Sequence, residues 1–294
     1  MNDTVSANKY DIRRIDLNDW TPFGAGAVGQ SYINKEDPGL MLKISTKDGS
    51  LDEWVREITN AKALYDLGLP VPRPGYIVSD GQNYGLVFDY IKGKKSYARA
   101  VADAADDAEI DELGRRFADV ALKLHATNCK TPGLIDVKDY TRDAIISNPF
   151  HSQDIKDKAL NLLETLPDGE VGVHGDLHFG NVITAGGKDY LIDLGTFTYG
   201  YYKFDLGMMV YVSAGDTFVS EERFMELYHC TFERSRRFHQ AVADRYFGHK
   251  VVLEDLVDDL MPYAAMRLFS MENQMKSPAL LPLAEKALLY LTQR

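Results

Sequence analysis

Cysteine is scarce in this 294-residue chain: Cys129 and Cys230 are its only two, and they form no C-x-x-C pair. That excludes a disulfide framework and fits a reducing compartment. No apolar run approaches the roughly 18 residues that a membrane helix needs, so no helical span is expected. Met1 to Tyr10 is polar and lacks the apolar core of a signal peptide. The expected location is therefore cytoplasmic, with no membrane partner. Basic residues are also in short supply, 33 Lys and Arg against 44 Asp and Glu, for a formal net charge of −11. Phosphate backbones need Lys/Arg stripes, so nucleic acid is excluded as the main partner. Internal repeats and low-complexity tracts are absent. What remains is 45% hydrophobic and 26% charged, the make-up of an ordinary globular protein. The length exceeds what one hydrophobic core usually covers and predicts two lobes.

The first ninety or so residues read as strand-rich. Gly24-Ala25-Gly26-Ala27-Val28-Gly29 is followed by Ser31-Tyr32-Ile33, and Asp37-Pro38-Gly39 is strong turn chemistry. Leu40 to Ile44 alternates, with Leu40, Leu42 and Ile44 on one face and Met41 and Lys43 on the other. Ser50 to Leu67 predicts a helix. Ser50 and Glu53 have capping-box spacing, Leu51, Val55, Ile58 and Leu64 mark an apolar stripe, and Gly68 is the stop. Pro70, Pro72 and Pro74 forbid helix. Tyr76 to Val78 and Tyr84 to Phe88 read as strands around Asp80-Gly81. Asp89 to Lys94 reads as a connector, placing a boundary between lobes of residues 1–91 and 92–294.

Beyond that boundary the pattern is mostly helical. Ile110, Leu113, Phe117, Val120 and Leu124 share one face of a long helix ending near His125. The acidic run Asp103 to Glu112 lies at a helix start, where the macrodipole favours carboxylates, and reads as structural. Between Val171 and Asp193 strands and tight loops return, with a hairpin across Gly186-Gly187. From Phe204 the helical pattern holds to the end.

Three elements carry chemistry. A lone G-x-G-x-x-G is weak evidence, but here strand, turn and strand follow, the setting of a kinase glycine-rich hairpin rather than of a dinucleotide fold. Gly24, Gly26 and Gly29 then let the backbone lie over phosphates. Lys43, on the next strand, is placed to reach the α- and β-phosphates, and Glu57 on the following helix is the carboxylate to hold it. The strongest signal is His174-Gly175-Asp176-Leu177-His178-Phe179-Gly180-Asn181. Asp176 and Asn181 have the D-x-x-x-x-N spacing of a kinase catalytic loop. Phosphoryl transfer needs a carboxylate to orient the attacking hydroxyl and an amide oxygen to hold Mg²⁺. Twelve positions after Asn181 stands Asp193, across the hairpin, as a second metal ligand. His174 reads as packing within the loop, His178 as a potential acceptor contact, and His125 as structural.

The segments His174 to Asn181, Leu191 to Gly195 and Tyr199 to Gly207 resemble the aminoglycoside phosphotransferase and choline kinase superfamily. So do Arg56-Glu57 through Pro72 and Leu86 to Gly93, and the similarity runs from about Phe23 to Gly207. The resemblance implies an α+β, two-lobed protein-kinase-like fold, with a small antiparallel-sheet N-lobe and a larger, mostly helical C-lobe. It implies a phosphotransferase using ATP and Mg²⁺, with GTP not separated from ATP by sequence. In it Asp176 is the base, Asn181 and Asp193 bind Mg²⁺, and Lys43 pairs with Glu57. Asp89 to Ile91 offer backbone groups to adenine, Phe88 lies behind the base and Met41 above it, and Asp205 braces the catalytic loop. Asp193-Leu194-Gly195-Thr196 departs from the family pattern, where an aromatic and then an acidic residue are frequent.

Rival readings make distinct expectations. His174, Asp176 and His178 alternate, and on a strand they would share a face fit for a transition metal, as in a metallohydrolase. A catalytically inactive kinase-like binding module is a second rival. A protein kinase is a third, but no long activation segment separates Asp193 from Phe204-Asp205-Leu206-Gly207, and a short one favours a small hydroxylated acceptor. The acceptor is expected to be polar, with amino-bearing molecules among the candidates. The reason is local: Glu254/Asp258 and Asp255/Asp259 would be like-charge i,i+4 pairs on one helix, a cost that a cationic ligand at Asp255 and Asp258 would offset. Arg267 and Lys276, downstream, are the alternative partners that would neutralise this run. A monomer and a homodimer both fit.

Overall fold

The computed structural model describes residues 10–25, 29–45, 50–213, 220–275, 284–285 and 287–288. The chain forms two compact units, the first of residues 1–94 and 184–196, the second of 95–183 and 197–294. A single boundary between 91 and 92 does not describe this division, because 184–196 returns to the first unit. Two hydrogen bonds tie it there: Leu191 N–H donates to the Pro70 carbonyl at 2.7 Å, and Asn60 Nδ2 donates to the Leu194 carbonyl at 2.7 Å.

The first unit is built on strands β1 (Ile12–Arg14), β2 (Trp20–Ala25), β3 (Gly29–Asn34), β4 (Leu40–Ser45), β5 (Pro74–Ser79) and β6 (Tyr84–Asp89). Their order is β1-β5-β6-β4-β3-β2. Five strands run antiparallel as expected, but β1 pairs parallel with β5, so the sheet is mixed. The alternation in β4 is the organising pattern. Leu42 and Ile44 join Trp20, Val78 and Val87 in a buried cluster, with Leu40 packed against it. Met41 and Lys43 occupy the other face, opposite Phe88 and Leu86 of β6.

Helix α1 (Leu51–Asp66) packs against β5 and β6. Its buried stripe is Trp54, Ile58, Ala61 and Leu64, with Glu57 and Asn60 beside it, while Leu51 and Val55 are half-buried. The expected capping box does not form. Ser50 makes no side-chain cap, and the Glu53 N–H goes to the Ser50 carbonyl instead.

The second unit begins with the short strand β7 (Lys95–Ser96) and helices α2 (Tyr97–Asp103) and α3 (Asp107–His125). Then come α4 (Val137–Ser147), α5 (Gln153–Thr165), β8 (Val171–Val173) and β9 (Val182–Ala185), which crosses into the first unit and turns over Gly186-Gly187 into β10 (Lys188–Leu191). After it come β11 (Thr198–Gly200), α6 (Lys203–Ser213), α7 (Glu221–Tyr228), α8 (Phe232–Phe247) and α9 (Val257–Met275). The α3 stripe Ile110, Leu113, Phe117, Val120 and Leu124 is buried throughout. It packs on α8, with Tyr97, Phe117 and Phe238 in mutual ring contact. Helix α9 lies on α6 and α4. Strands β8 and β11 pair antiparallel, Val173 opposite Thr198, and fix the entry to the segment that follows β8. Among the described residues no helix is long and apolar enough to cross a membrane.

Candidate active site

In the first unit, β4 and α1 bring Lys43 and Glu57 together, with Nζ 3.2 Å from Oε1. Asp193 completes a triad: its Oδ1 lies 3.0 Å from the same Nζ. Asp193 has φ +61°, a left-handed conformation that Asp tolerates better than most residues, and leads into the 3-10 turn Leu194–Thr196. Burial alone would neutralise Lys43. The carboxylates of Glu57 and Asp193 outweigh it and hold the ammonium charged, well above the ordinary lysine range. Burial pushes the Glu57 carboxyl up, Lys43 opposes this, and the Asp193 charge adds to it. Asp193 is 46% exposed and keeps oxygen surface for a further ligand.

The glycines divide. A Cβ on Gly29 would stand 2.3 Å from the Ile44 carbonyl oxygen, so that glycine serves the close approach of β3 to β4. Gly24 faces open space, and Gly26 lies outside the described residues. At the connector, the Asp89 N–H donates to the Arg73 carbonyl and the Tyr90 N–H to the Gly39 carbonyl, at 3.0 and 2.7 Å. The Asp89 carboxylate is turned to Arg73. Phe88 is buried and Met41 half-buried.

In the second unit, the segment after β8 is a loop rather than a strand, which removes the shared face that a His174/Asp176/His178 metal centre needs. Gly175 has φ +78°, a conformation that costs glycine alone nothing. The N–H groups of His174 and Gly175 donate to Asp205, at 2.9 and 2.8 Å. Leu177 and Phe179 are buried, the latter stacked on Phe238 and against Tyr228, and they anchor the loop. Each histidine is used locally. His174, fully buried, accepts the Asp176 N–H at Nδ1, and His178 accepts the Gly180 N–H at Nδ1. That places the proton of a neutral His178 on Nε2, which faces Asp176 Oδ2 at 3.7 Å. Among the described residues no three His, Cys, Asp or Glu side chains converge as a metal centre.

Asp176 is held from three sides. Asn181 Nδ2 donates to its carbonyl at 3.0 Å and to Oδ2 at 3.1 Å, so the amide oxygen of Asn181 is the end turned away from Asp176. Arg267, on α9, brings Nη2 to 3.2 Å from Oδ1. Burial by itself would raise the Asp176 pKa. The charge of Arg267, with the His178 and His174 imidazoles beside it, overcomes it and holds the carboxyl far below the usual range. Arg267, one of the two downstream residues offered as partners for the acidic run, pairs with Asp176.

Behind the loop, Asp205 is fully buried at the start of α6. Besides the two backbone donors it contacts His125 Nε2 at 3.0 Å, and His125 Nδ1 meets the Tyr246 hydroxyl at 2.8 Å. A carboxylate only accepts, so Nε2 carries the proton, and in the neutral imidazole Tyr246 donates to Nδ1. The spacing of His125 suggested only a helix end, and Tyr246 gave no signal at all.

The acidic run does not form the pattern expected of it. Glu254 and Asp255 lie in a 3-10 turn, Leu253–Leu256, while Asp258 and Asp259 open α9, where the helix dipole favours carboxylates. All four are exposed, and Asp259 binds Lys203 at 2.7 Å. The like-charge cost on a single helix therefore does not arise. The Asp103 to Glu112 run is structural. Asp106 caps α3 through the Glu109 N–H, Asp103 pairs with Lys95 and Arg99, and Asp107 and Asp111 pair with Arg237.

The model of a phosphotransferase enzyme family matches residues 19–239. Solved structures share the fold at low identity. An amicoumacin kinase, hAmiN, in complex with AMP-PNP, Ca²⁺ and Ami superposes with a TM-score of 0.59 at 16% identity, covering 98% of this chain and 96% of that one. An aminoglycoside-3'-phosphotransferase of type VIII gives 0.57 at 18% identity, covering 92% and 98%. The choline kinase LicA from Streptococcus pneumoniae gives 0.55 at 15% identity, covering 93% and 95%. No curated protein matches the sequence.

Proposed function

The chain belongs to the phosphotransferase enzyme family, and from that premise we propose that it is an ATP-dependent kinase for a small hydroxylated molecule, with Asp176 as its base. One observation carries this reading: a largely buried carboxylate kept ionised by Arg267 and oriented by Asn181, on a loop anchored by Asp205. Such a carboxylate accepts the hydrogen bond of an incoming hydroxyl at any ordinary pH. In the transfer, the hydroxyl oxygen forms a bond to the γ-phosphorus. The bond from that phosphorus to the β-γ bridging oxygen breaks, ADP leaves, and the hydroxyl proton passes to Asp176. A base of such low pKa is a weak proton acceptor, which suits a loose transition state in which proton transfer comes late and orientation matters most.

The nucleotide is assigned to the Met41/Lys43 face of the first unit. Lys43, held by Glu57 and Asp193, takes the phosphates. The Asp89 carbonyl and the Ile91 N–H serve the adenine edge, because the Asp89 and Tyr90 N–H groups are already spent. Phe88 and Met41 flank the ring. Gly24, which faces open space, is assigned to the phosphates. Each unit holds a hard ligand of the kind that Mg²⁺ takes, the exposed Asp193 carboxylate in the first and the neutral Asn181 oxygen in the second. When bound, the ion neutralises charge on the β- and γ-phosphates.

His178 is assigned to the acceptor side, beside Asp176. The ion-pair partner of the base is the Arg267 guanidinium, so an amine on the acceptor belongs away from the reacting hydroxyl. Asp255 and Asp258, exposed and on separate elements, supply no reason for a cationic ligand. The test is a nucleotide-consumption screen with ATP and GTP. It runs against aminoglycosides, hydroxylated amines, neutral sugars and hydroxy acids. Acceptor-dependent ADP formation supports the reading. ATP turnover that no hydroxylated compound stimulates, or acceptor phosphorylation with GTP alone, contradicts it.

A further inference from the structure

Asn60 lies on α1 one turn after Glu57 and is buried. Asparagine is a poor residue for a helix interior and is mostly found at surfaces, and a buried one needs a partner for its amide. Here Nδ2 donates to the Leu194 carbonyl at 2.7 Å, a short bond of its kind. Residues three apart on a helix share a side. On this side of α1, Trp54 sets its ring 5.8 Å from the Lys43 ammonium, and Glu57 pairs with that ammonium at 3.2 Å. Asn60, next along, grips the turn that follows Asp193.

That turn needs a grip. Asp193 stands at φ +61°, which Asp tolerates without preferring, and a residue other than glycine stays there only where its surroundings over-determine the backbone. Fixed points bracket it. Before Asp193, the Leu191 N–H donates to the Pro70 carbonyl at 2.7 Å; after it, Leu194 is buried and its carbonyl takes the Asn60 amide. The Asp193 carboxylate also reaches Lys43 Nζ at 3.0 Å, but both of those groups are assigned to ligands and exchange partners when ligands arrive. The bond from Asn60 uses neither of them, so it holds the Asp193 backbone whether Lys43 turns to Asp193 or to a phosphate. We propose that Asn60 is a positioning residue for the metal: its amide fixes the left-handed turn from which Asp193 presents its exposed carboxylate to Mg²⁺. This rests on the reading of Asp193 as a Mg²⁺ ligand. Groups that orient a metal ligand from behind contribute about ten- to a hundredfold to metal affinity. The lower end applies here, because the Leu191 bond and the buried Leu194 side chain remain when the amide is lost.

Calorimetry on the full chain tests this, with ADP titrated at a series of Mg²⁺ concentrations and adenosine as a ligand that carries no phosphate. Wild type is compared with Asn60→Leu, which keeps the volume, and Asn60→Ala, which removes the amide without crowding. Ile58→Val, which trims a buried side chain of the same helix and leaves the amide in place, is the control. Both Asn60 variants are expected to need about tenfold more Mg²⁺ for half-maximal strengthening of ADP binding, with adenosine affinity within about twofold of wild type. Ile58→Val is expected to follow wild type in both. The proposal is overturned if the Mg²⁺ requirement of the Asn60 variants stays within about twofold of wild type. It is overturned if adenosine weakens as much as ADP with Mg²⁺, or if Ile58→Val raises the Mg²⁺ requirement equally, since either marks a packing role. Those results fail Asn60 alone and leave Asp193 as a ligand. ADP binding by wild type that Mg²⁺ does not strengthen fails the reading of Asp193, and the proposal with it.

Discussion

Replacing Arg267 by glutamine keeps a hydrogen-bonding side chain beside Asp176 but removes its charge. At 3.2 Å the gross attraction of the pair is about 5 kcal/mol for an effective dielectric near 20. Desolvation of both groups offsets part of it. Asp176 also retains 25% exposure and the Asn181 amide, so the net loss is placed at about 2 kcal/mol, below the ~3–5 kcal/mol seen when a fully buried pair is broken. At ~1.4 kcal/mol per pKa unit, the carboxyl rises by about one to two units. The sign follows from linkage. A carboxyl depressed in the folded state contributes stability above its unfolded pKa, near 3.9, and loses it as pH falls through the folded value. Wild type is therefore predicted to show no acid limb from Asp176 above about pH 5. In Arg267→Gln that limb moves upward, and stability at neutral pH drops. Arg267→Lys restores the charge and most of both effects. The assays are urea denaturation and the pH profile of kcat. An acid limb unmoved in Arg267→Gln, with stability within about 0.5 kcal/mol of wild type, refutes the pairing as the cause of the low Asp176 pKa.

Further outcomes follow from the same geometry. Asp193→Ala is predicted to abolish the Mg²⁺ dependence of nucleotide binding more completely than Asn181→Ala, because a full charge is lost rather than a neutral oxygen; calorimetry with and without Mg²⁺ reads this, and equal metal dependence in both variants contradicts it. Asp205→Asn leaves at least one of three donors without an acceptor and is expected to cost about 3 kcal/mol in denaturation and most of kcat. Tyr246→Phe removes only the outermost link to His125, so about 1 kcal/mol of stability is expected to go with kcat kept within about twofold. Glu57→Gln is expected to weaken nucleotide binding several-fold while stability changes by about 1 kcal/mol or less, since burial already disfavours that carboxylate.

Local pattern carried much of this molecule. The β4 alternation placed Lys43 and Met41 on a face apart from the core, and the α3 stripe was readable residue by residue, because strand and helix periods impose burial directly. The spacing from Asp176 to Asn181 likewise encodes a short loop whose closure is local. What escaped was set by distant segments. Arg267 follows Asp176 by 91 positions, and no spacing rule links a helix arginine to a loop aspartate. The parallel pairing of β1 with β5 joins segments more than sixty residues apart, and three residues of Ile12–Arg14 carry no alternation to reveal it. Ser50 stands at the N-cap as its spacing to Glu53 requires, yet its side chain makes no cap bond. The acidic run misled because its spacing presumed one continuous helix, whereas the chain changes from a 3-10 turn to α9 within it.

The central claim is that Asp176 receives the acceptor hydroxyl. Its most direct test is Asp176→Asn, with phosphorylated acceptor detected by mass spectrometry and nucleotide binding measured on the same preparation. The account predicts a fold and a nucleotide affinity close to wild type, with phosphoryl transfer lowered by at least about a hundredfold. Transfer at near wild-type kcat in Asp176→Asn would contradict it and remove Asp176 from the role of base.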